Sequence, residues 1–129
     1  MVEPTSGVNR PRGQSPHGLE AAPPSRRLER GVELIRAGEY FAAHEELEED
    51  WRAAPLEERD FLQGLVHVAV AWYQAGRANR VGMERQLEKA IRRLSPYAPS
   101  HRGIELEPLL AQLHALRERA SLDLPPPVL

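Results

Sequence analysis

The fold is decided by the stretch YFAAHEELEEDW, residues 40–51, and by FLQGLVHVAVAWY, residues 61–73. In the first stretch apolar side chains recur at the spacing of one helix face, and His44 and Glu48 fall on that same side. We therefore expect folding to withdraw both side chains from water. The second stretch is apolar in almost every direction, which is typical of a helix that others contact on several sides. Together they predict a helical hairpin whose second member lies at the centre of the fold.

Apolar spacing predicts three further helices around this pair. Their apolar faces consist of Leu28, Val32 and Ile35 in the first helix, Met83, Leu87, Ala90, Ile91 and Leu94 in the fourth, and Leu109, Leu113, Leu116 and Ala120 in the fifth. Ser25 and Asn79 are suited to cap the first and fourth helices, because their side-chain oxygens can accept from free backbone N–H groups. Residues 95–107, SPYAPSHRGIELE, contain two prolines and predict an irregular connection.

The predicted fold class is all-α: a single-domain bundle of about five helices, built from antiparallel hairpins around a central hydrophobic third helix. Residues 1–24 are rich in Pro, Gly and Ser and predict a disordered arm, because they cannot bury enough apolar surface to offset the entropy of ordering. The bundle is expected to occupy residues 25–121, and residues 122–129 to form a loose Pro-rich tail.

Composition excludes several classes of protein. The chain has no cysteine, so thiolate catalysis and thiolate metal sites are ruled out. No run approaches the roughly 18 apolar residues of a membrane span, and the amino terminus lacks the apolar centre of a signal peptide. A net charge of −2 gives no overall bias toward nucleic acid, which we do not expect as a partner. The sequence predicts a soluble, cytoplasmic protein.

Charge is distributed unevenly along the chain. Residues 45–50 read EELEED, whereas a later stretch is rich in cations, namely Arg77, Arg80, Arg85, Lys89, Arg92, Arg93 and Arg102. The favoured interpretation is internal salt bridging between these cations and the acidic helix. The alternative is a phosphate-binding face, since guanidinium groups form two parallel hydrogen bonds with phosphate or carboxylate.

Three polar residues interrupt the apolar third helix. Gln63, His67 and Gln74 lie at positions i, i+4 and i+11 and so predict one narrow polar line along the helix. Gly64 costs about 1 kcal/mol of helix propensity relative to alanine. Its presence predicts a close crossing of two backbones.

The candidate site lies between the second and third helices. His44 and Glu48 are one turn apart and are the candidate ligands for a divalent metal ion, with Glu45 or His67 as a third ligand. The structural alternative is a hydrogen-bonded network of His44, Glu48 and Gln63, because buried polar groups need partners. No catalytic residue is assigned. The His-Glu-x-x-His pattern of zinc peptidases is absent, because Glu48 stands where its second histidine belongs.

Two classes of function follow from these residues. The first is a non-enzymatic interaction or scaffold module that binds a protein partner or a second copy of itself. The second is a metal-dependent hydrolase or small-ligand-binding protein that uses the His/Glu cluster. The sequence leaves open whether the protein is an enzyme.

The residues around the hairpin also form a family pattern. They are Gly38-Glu39-Tyr40-Phe41, Ala43-His44-Glu45, Leu47-Glu48 with Trp51, and Gln63-Gly64-Leu65 with Ala69. This pattern resembles a family of small bacterial and plastid-associated helical proteins known as domain of unknown function 309, over about residues 26–110. The resemblance implies an all-α bundle, with His44, Glu45, Glu48 and Gln63 as its characteristic polar residues, and no particular chemistry.

A looser resemblance is to a single tetratricopeptide repeat, whose helical hairpins use small and aromatic residues at set offsets. The matching positions are Gly31, Leu34, Gly38, Tyr40, Ala43, Leu47 and Pro55. One such unit cannot build a solenoid, so the resemblance implies shared hairpin packing and leaves protein binding open as a function.

Overall fold

Five α-helices make up most of the computed structural model, which describes residues 25–119 and 121–129. The helices are α1 (Arg26–Arg36), α2 (Tyr40–Ala53), α3 (Leu56–Gly76), α4 (Arg80–Leu94) and α5 (Glu107–Arg119). The predicted all-α bundle is confirmed. The arm predicted for residues 1–24, and Ala120, lie outside the described residues.

The helix ends follow the capping signals in the sequence. Ser25 Oγ accepts a hydrogen bond from the backbone N–H of Leu28 at 3.0 Å, and Asn79 Oδ1 accepts one from Gly82 at 2.9 Å. Gly38 has a φ of 78°, the left-handed conformation that lets α1 close and the chain reverse into α2. Both predicted caps are therefore confirmed.

Helix α3 lies between α2 and α4, while α1 packs mainly on α2 and α5 mainly on α4. The buried residues of α3 run along most of its length: Glu58, Phe61, Leu62, Gly64, Leu65, Val66, His67, Val68, Ala69, Ala71 and Trp72. This confirms the predicted central position. None of the described helices combines the length and apolarity needed to cross a membrane.

The connection between α4 and α5 is more ordered than predicted. A 3₁₀ turn over Ser95–Tyr97 leads into two short antiparallel strands, β1 (Ser100–His101) and β2 (Ile104–Glu105). The two residues between the strands both have positive φ, as a tight hairpin turn of this length requires. The segment folds back onto the bundle, and Tyr97, His101 and Leu106 are buried.

The tail at residues 122–129 contains no helix or strand, yet it is hydrogen-bonded to three helices. The bonds run from Trp72 Nε1 to the Pro125 carbonyl (2.9 Å), from Gln112 Nε2 to the Pro126 carbonyl (2.8 Å), from the Val128 N–H to Gln112 Oε1 (2.8 Å), and from Arg36 Nε to the Leu129 carbonyl (3.0 Å). The prediction of a loose tail did not include these contacts, because every partner is distant in sequence.

The expected salt bridges between α2 and α4 do not form among the described residues. Glu48 and Glu49 of α2 pair with Arg52 on their own helix. Arg93 of α4 pairs instead with Asp60 of α3, at 2.6 Å. The physical reason is the order of the helices: α3 lies between the acidic helix and the basic one. The favoured interpretation of the charge pattern is therefore wrong.

Candidate functional site

His44 and Glu48 lie side by side on α2, as their spacing of four residues predicts. His44 Nε2 is 3.4 Å from Glu48 Oε2, and the two side chains remain 23% and 36% exposed. The other oxygen of Glu48 is 3.7 Å from Arg52 Nη2. The carboxylate is thus shared between His44 and Arg52 at a half-buried position, rather than withdrawn from water as expected.

The other predicted members of the cluster are not joined to this pair. Glu45 is exposed and makes no hydrogen bond or ion pair with the described residues. Gln63 is half-buried on α3, and none of the side-chain hydrogen bonds in the described part of the chain links it to His44 or Glu48. The predicted network of His44, Glu48 and Gln63 is therefore absent from this part of the structure.

His67 faces α4. Its Nδ1 lies 2.7 Å from Gln86 Oε1. Because the amide oxygen accepts, Nδ1 carries the proton, and Nε2 is left buried without a partner among the described residues. Burial lowers the pKa of His67, as do the charges of Arg93, Lys89 and Arg92, against the opposing effect of the Gln86 hydrogen bond. The imidazole is consequently held in its neutral form.

The described residues do not assemble the predicted metal centre. Across residues 25–119 and 121–129, no three His, Asp or Glu side chains are placed to hold one ion. Catalytic zinc sites use three protein ligands and structural ones use four. His44 and Glu48 supply two, and the exposed Glu45 and the α4-facing His67 do not join them.

His44 also lines a groove between α2 and α3. The groove has a volume of about 200 Å³ and is lined by Phe41, His44, Val70, Tyr73 and Gln74. Phe41 is 50% exposed, and its ring centroid is 5.3 Å from those of both His44 and Tyr73. An aromatic ring that contacts two others while half of it faces water is an apolar surface available to a partner.

The imidazole of His44 carries a buried nitrogen without a hydrogen-bond partner in the described chain. Its Nε2 edge faces the Glu48 carboxylate, which favours the proton on that nitrogen. Nδ1 is then an acceptor, and it is buried without a hydrogen-bond partner in the described chain. Such an atom loses the hydrogen bond that water would give it, which costs stability.

The polar groups on the two sides of the groove differ in how well they are paired. On the α3 side, the Tyr73 hydroxyl accepts a hydrogen bond from Arg77 at 2.9 Å, and Gln74 accepts one from Asn79 at 3.0 Å. On the α2 side, Glu45 lies one turn beyond Phe41 and has no partner among the described residues. A carboxylate without an ion pair is therefore available on the α2 side, and the Arg77 guanidinium lies over the Tyr73 ring on the α3 side.

Sequence reasoning did not identify the groove as a site. Tyr73 was placed within the apolar run of residues 61–73, and Phe41 was assigned no separate role. The signal that could have found it is the neighbouring pair Tyr40 and Phe41, because one helix face cannot bury two adjacent large rings equally.

A buried ionic cluster was also missed. His101 Nε2 is 2.9 Å from Glu58 Oε1, and Arg102 Nη1 is 3.6 Å from the same oxygen. The His101 ring packs edge-on against Phe61, with centroids 4.6 Å apart. The cluster lies between the start of α3 and the β hairpin. This location indicates a structural role, because the cluster fixes the hairpin to the bundle. Glu58 and His101 are 43 residues apart, so no local pattern could have paired them.

Comparison with known proteins places the groove inside a recognised domain. The model of a family described as "Domain of unknown function (DUF309)" matches residues 28–86, a shorter range than the 26–110 expected. The uncharacterized protein YpuF of Bacillus subtilis (strain 168) is 36% identical over 75 residues, which cover 57% of this chain and 41% of that protein. The chain thus spans about two fifths of the length of that relative.

No solved structure matches the chain significantly. The family match covers nearly all of α1, the whole of α2 and α3, and the first part of α4, so it includes both helices of the groove. This segment carries the His44, Glu48 and Gln63 pattern, and its match to the DUF309 model supports the family resemblance seen in the sequence.

Proposed function

We propose that this protein is a non-enzymatic, cytoplasmic interaction module that binds a segment of another protein in the groove between α2 and α3. The observation that carries this proposal is the half-exposed ring of Phe41, packed against Tyr73 and His44 at the edge of the groove. Aromatic side chains at the centre of an interface supply a large part of its binding energy.

The apolar contribution of Phe41 is large enough to anchor a partner. Phenylalanine buries roughly 150–250 Å², so a half-exposed ring leaves on the order of 100 Å² in contact with water. At about 25 cal/mol per Å², covering that area contributes roughly 2 to 3 kcal/mol. This exceeds what an exposed ion pair on the same surface would supply, at about 0 to 1 kcal/mol.

Charge defines the partner more closely. Glu45 lies one turn from Phe41 on α2 and has no ion pair with the described residues, so the partner is expected to carry Arg or Lys next to an apolar anchor side chain. The alternative occupant of the groove is a second copy of this chain. The alternative function, a metal-dependent hydrolase, would need a third metal ligand that the described residues do not bring to His44.

Site-specific photo-crosslinking in cells tests the proposal. A photoreactive amino acid replaces Phe41 in one variant and Leu56 in a control variant, since Leu56 is 81% exposed and lies at the start of α3, away from the groove. We expect the variant at position 41 to capture a distinct protein that the control at position 56 does not. Peptide mapping would then identify the captured segment.

The purified partner segment allows a quantitative measurement. Phe41→Ala should weaken its binding by about tenfold or more, while Leu56→Ala should change it less than about twofold. Both side chains are exposed, so neither substitution should unfold the bundle, and circular dichroism would verify this. Capture of a second copy of the chain, equal capture at both positions, or equal loss of affinity in both alanine variants would contradict binding of a different protein at this groove.

A further inference from the structure

The outer face of α4 carries cations that the described part of the chain leaves unpaired. Arg85, Lys89 and Arg92, called here the α4 basic face, make no hydrogen bond or ion pair with described residues. Their spacing of four and three residues puts them on one side of the helix. At 1.5 Å per residue they extend over about 10 Å.

A second set of polar groups lies where this face meets α3. Arg93 is oriented by Asp60, with Nη1 at 2.6 Å from the carboxylate, and its Nε is buried without a partner among the described residues. His67 lies in the same seam, close enough for the charges of Lys89, Arg92 and Arg93 to lower its pKa. Positive charge is therefore concentrated at one place on the α3–α4 seam.

The size of the positive region limits what it can bind. Toward α5 it is bordered by Glu84 and Glu88, which line a surface cleft together with Arg85 and Arg117. The whole chain has a net charge of −2. A long polyanion such as duplex nucleic acid would extend past the α4 basic face onto these carboxylates, whereas a short ligand would contact mainly the cations.

We propose that the α4 basic face, together with Arg93, binds a compact ligand that carries two or more phosphoryl groups. Guanidinium groups form paired, charge-assisted hydrogen bonds with phosphate oxygens, and the lysine adds a mobile point charge. Several neighbouring cations favour several linked phosphoryl groups over a single one. This site is separate from the α2–α3 groove, and the proposal does not rest on the function assigned to that groove.

Isothermal titration calorimetry of the full chain at low salt, with inorganic tripolyphosphate as the probe, tests this site. The test variant is Lys89→Ala with Arg92→Ala. The matched control is Arg30→Ala with Arg80→Ala, which removes two exposed cations outside the α4 basic face. We expect the test variant to lose affinity by about tenfold or more and the control by less than about twofold.

NMR of the His67 ring gives a second readout. Binding at the seam should shift its resonances in the parent and in the control variant, because the ligand would partly neutralise the cations around the imidazole. A parallel titration with ATP distinguishes the source of the phosphoryl groups: tighter binding indicates a nucleotide, and equal binding indicates recognition of the phosphate chain alone. Both results support the site.

Three results would overturn the proposal. The first is the absence of tripolyphosphate binding to the parent. The second is an equal loss of affinity in the test and control variants, which would show attraction to net charge alone. The third is tighter binding of duplex DNA than of tripolyphosphate at the same phosphate concentration, which would indicate a nucleic-acid surface instead.

Discussion

Replacing Gly64 by alanine tests how closely α3 and α4 approach. A Cβ at this position would lie 2.6 Å from both Cγ and Cδ2 of Leu94, and 3.4 Å from the Leu94 backbone nitrogen. Leu94 is completely buried, and Cγ is the branch point of its side chain. Rotating the terminal methyl groups alone therefore cannot relieve the overlap, so the Leu94 side chain must leave its packed position or α4 must shift.

The expected magnitude is a balance of two terms. Overpacking a well-packed core costs about 1 to 3 kcal/mol, and an overlap at a branch point belongs in the upper part of that range. Replacing a glycine in a helix interior by alanine stabilises the helix by about 1 kcal/mol. Gly64→Ala should therefore lower the free energy of unfolding by about 1 to 2 kcal/mol, as measured by urea denaturation followed by circular dichroism.

Gly76 is the matched control on the same helix. Nothing lies within 4 Å of a Cβ built there, so Gly76→Ala should leave stability unchanged or raise it by up to about 1 kcal/mol. Adding Leu94→Ala to Gly64→Ala should yield a double variant that loses less stability than the sum of the two single losses. If Gly64→Ala were as stable as Gly76→Ala, the close crossing of α3 and α4 at Gly64 would be refuted.

Three further predictions concern titratable side chains. Glu58→Ala should lower the free energy of unfolding by about 3 to 5 kcal/mol in denaturant melts, because it leaves the buried His101 cluster without its carboxylate. Glu57→Ala, at the exposed neighbouring position, should lower it by less than about 0.5 kcal/mol. Glu48→Ala and Glu49→Ala should each cost less than about 1 kcal/mol in the same melts, since both carboxylates form partly exposed ion pairs; a loss above 2 kcal/mol at position 48 alone would contradict this. Folding lowers the pKa of His67 below its ordinary value of 6.5, so the stability that its neutral form contributes is complete above pH 6.5 and is lost as the pH falls below it. Urea melts at about pH 7.5 and 5.5 should therefore show a smaller acid loss in His67→Gln than in the parent, and equal losses would contradict a buried neutral imidazole.

Contacts within one helix could be predicted from the sequence. The proximity of His44 and Glu48 follows from the rise and period of an α-helix, and the caps at Ser25 and Asn79 follow from local chemistry. The central position of α3 follows from its nearly continuous apolar surface. Each of these depends on residues close together in the chain, for which helix geometry alone fixes the distances.

Contacts between helices could not be predicted in the same way. Gln63 and His67 were placed on one polar line, but whether that line faces α2 or α4 depends on how α3 is rotated in the bundle. This rotation depends on packing between helices, such as that of Gly64 against Leu94. The helical period of the sequence does not reveal such packing. The pairing of Glu58 with His101 depends in addition on the β hairpin folding back across 43 residues.

The hydrogen-bonded tail has a consequence for the order in which the protein folds. The main helix contacts join elements that follow one another in the chain, and such low contact order favours rapid assembly. The bond between Arg36 and Leu129 spans 93 residues, and the bond between Trp72 and Pro125 spans 53. We therefore expect the tail to dock after the helices have assembled. The Trp72 indole proton should then exchange with solvent through local detachment of the tail, faster than the backbone amides in the middle of α3, which exchange by global unfolding.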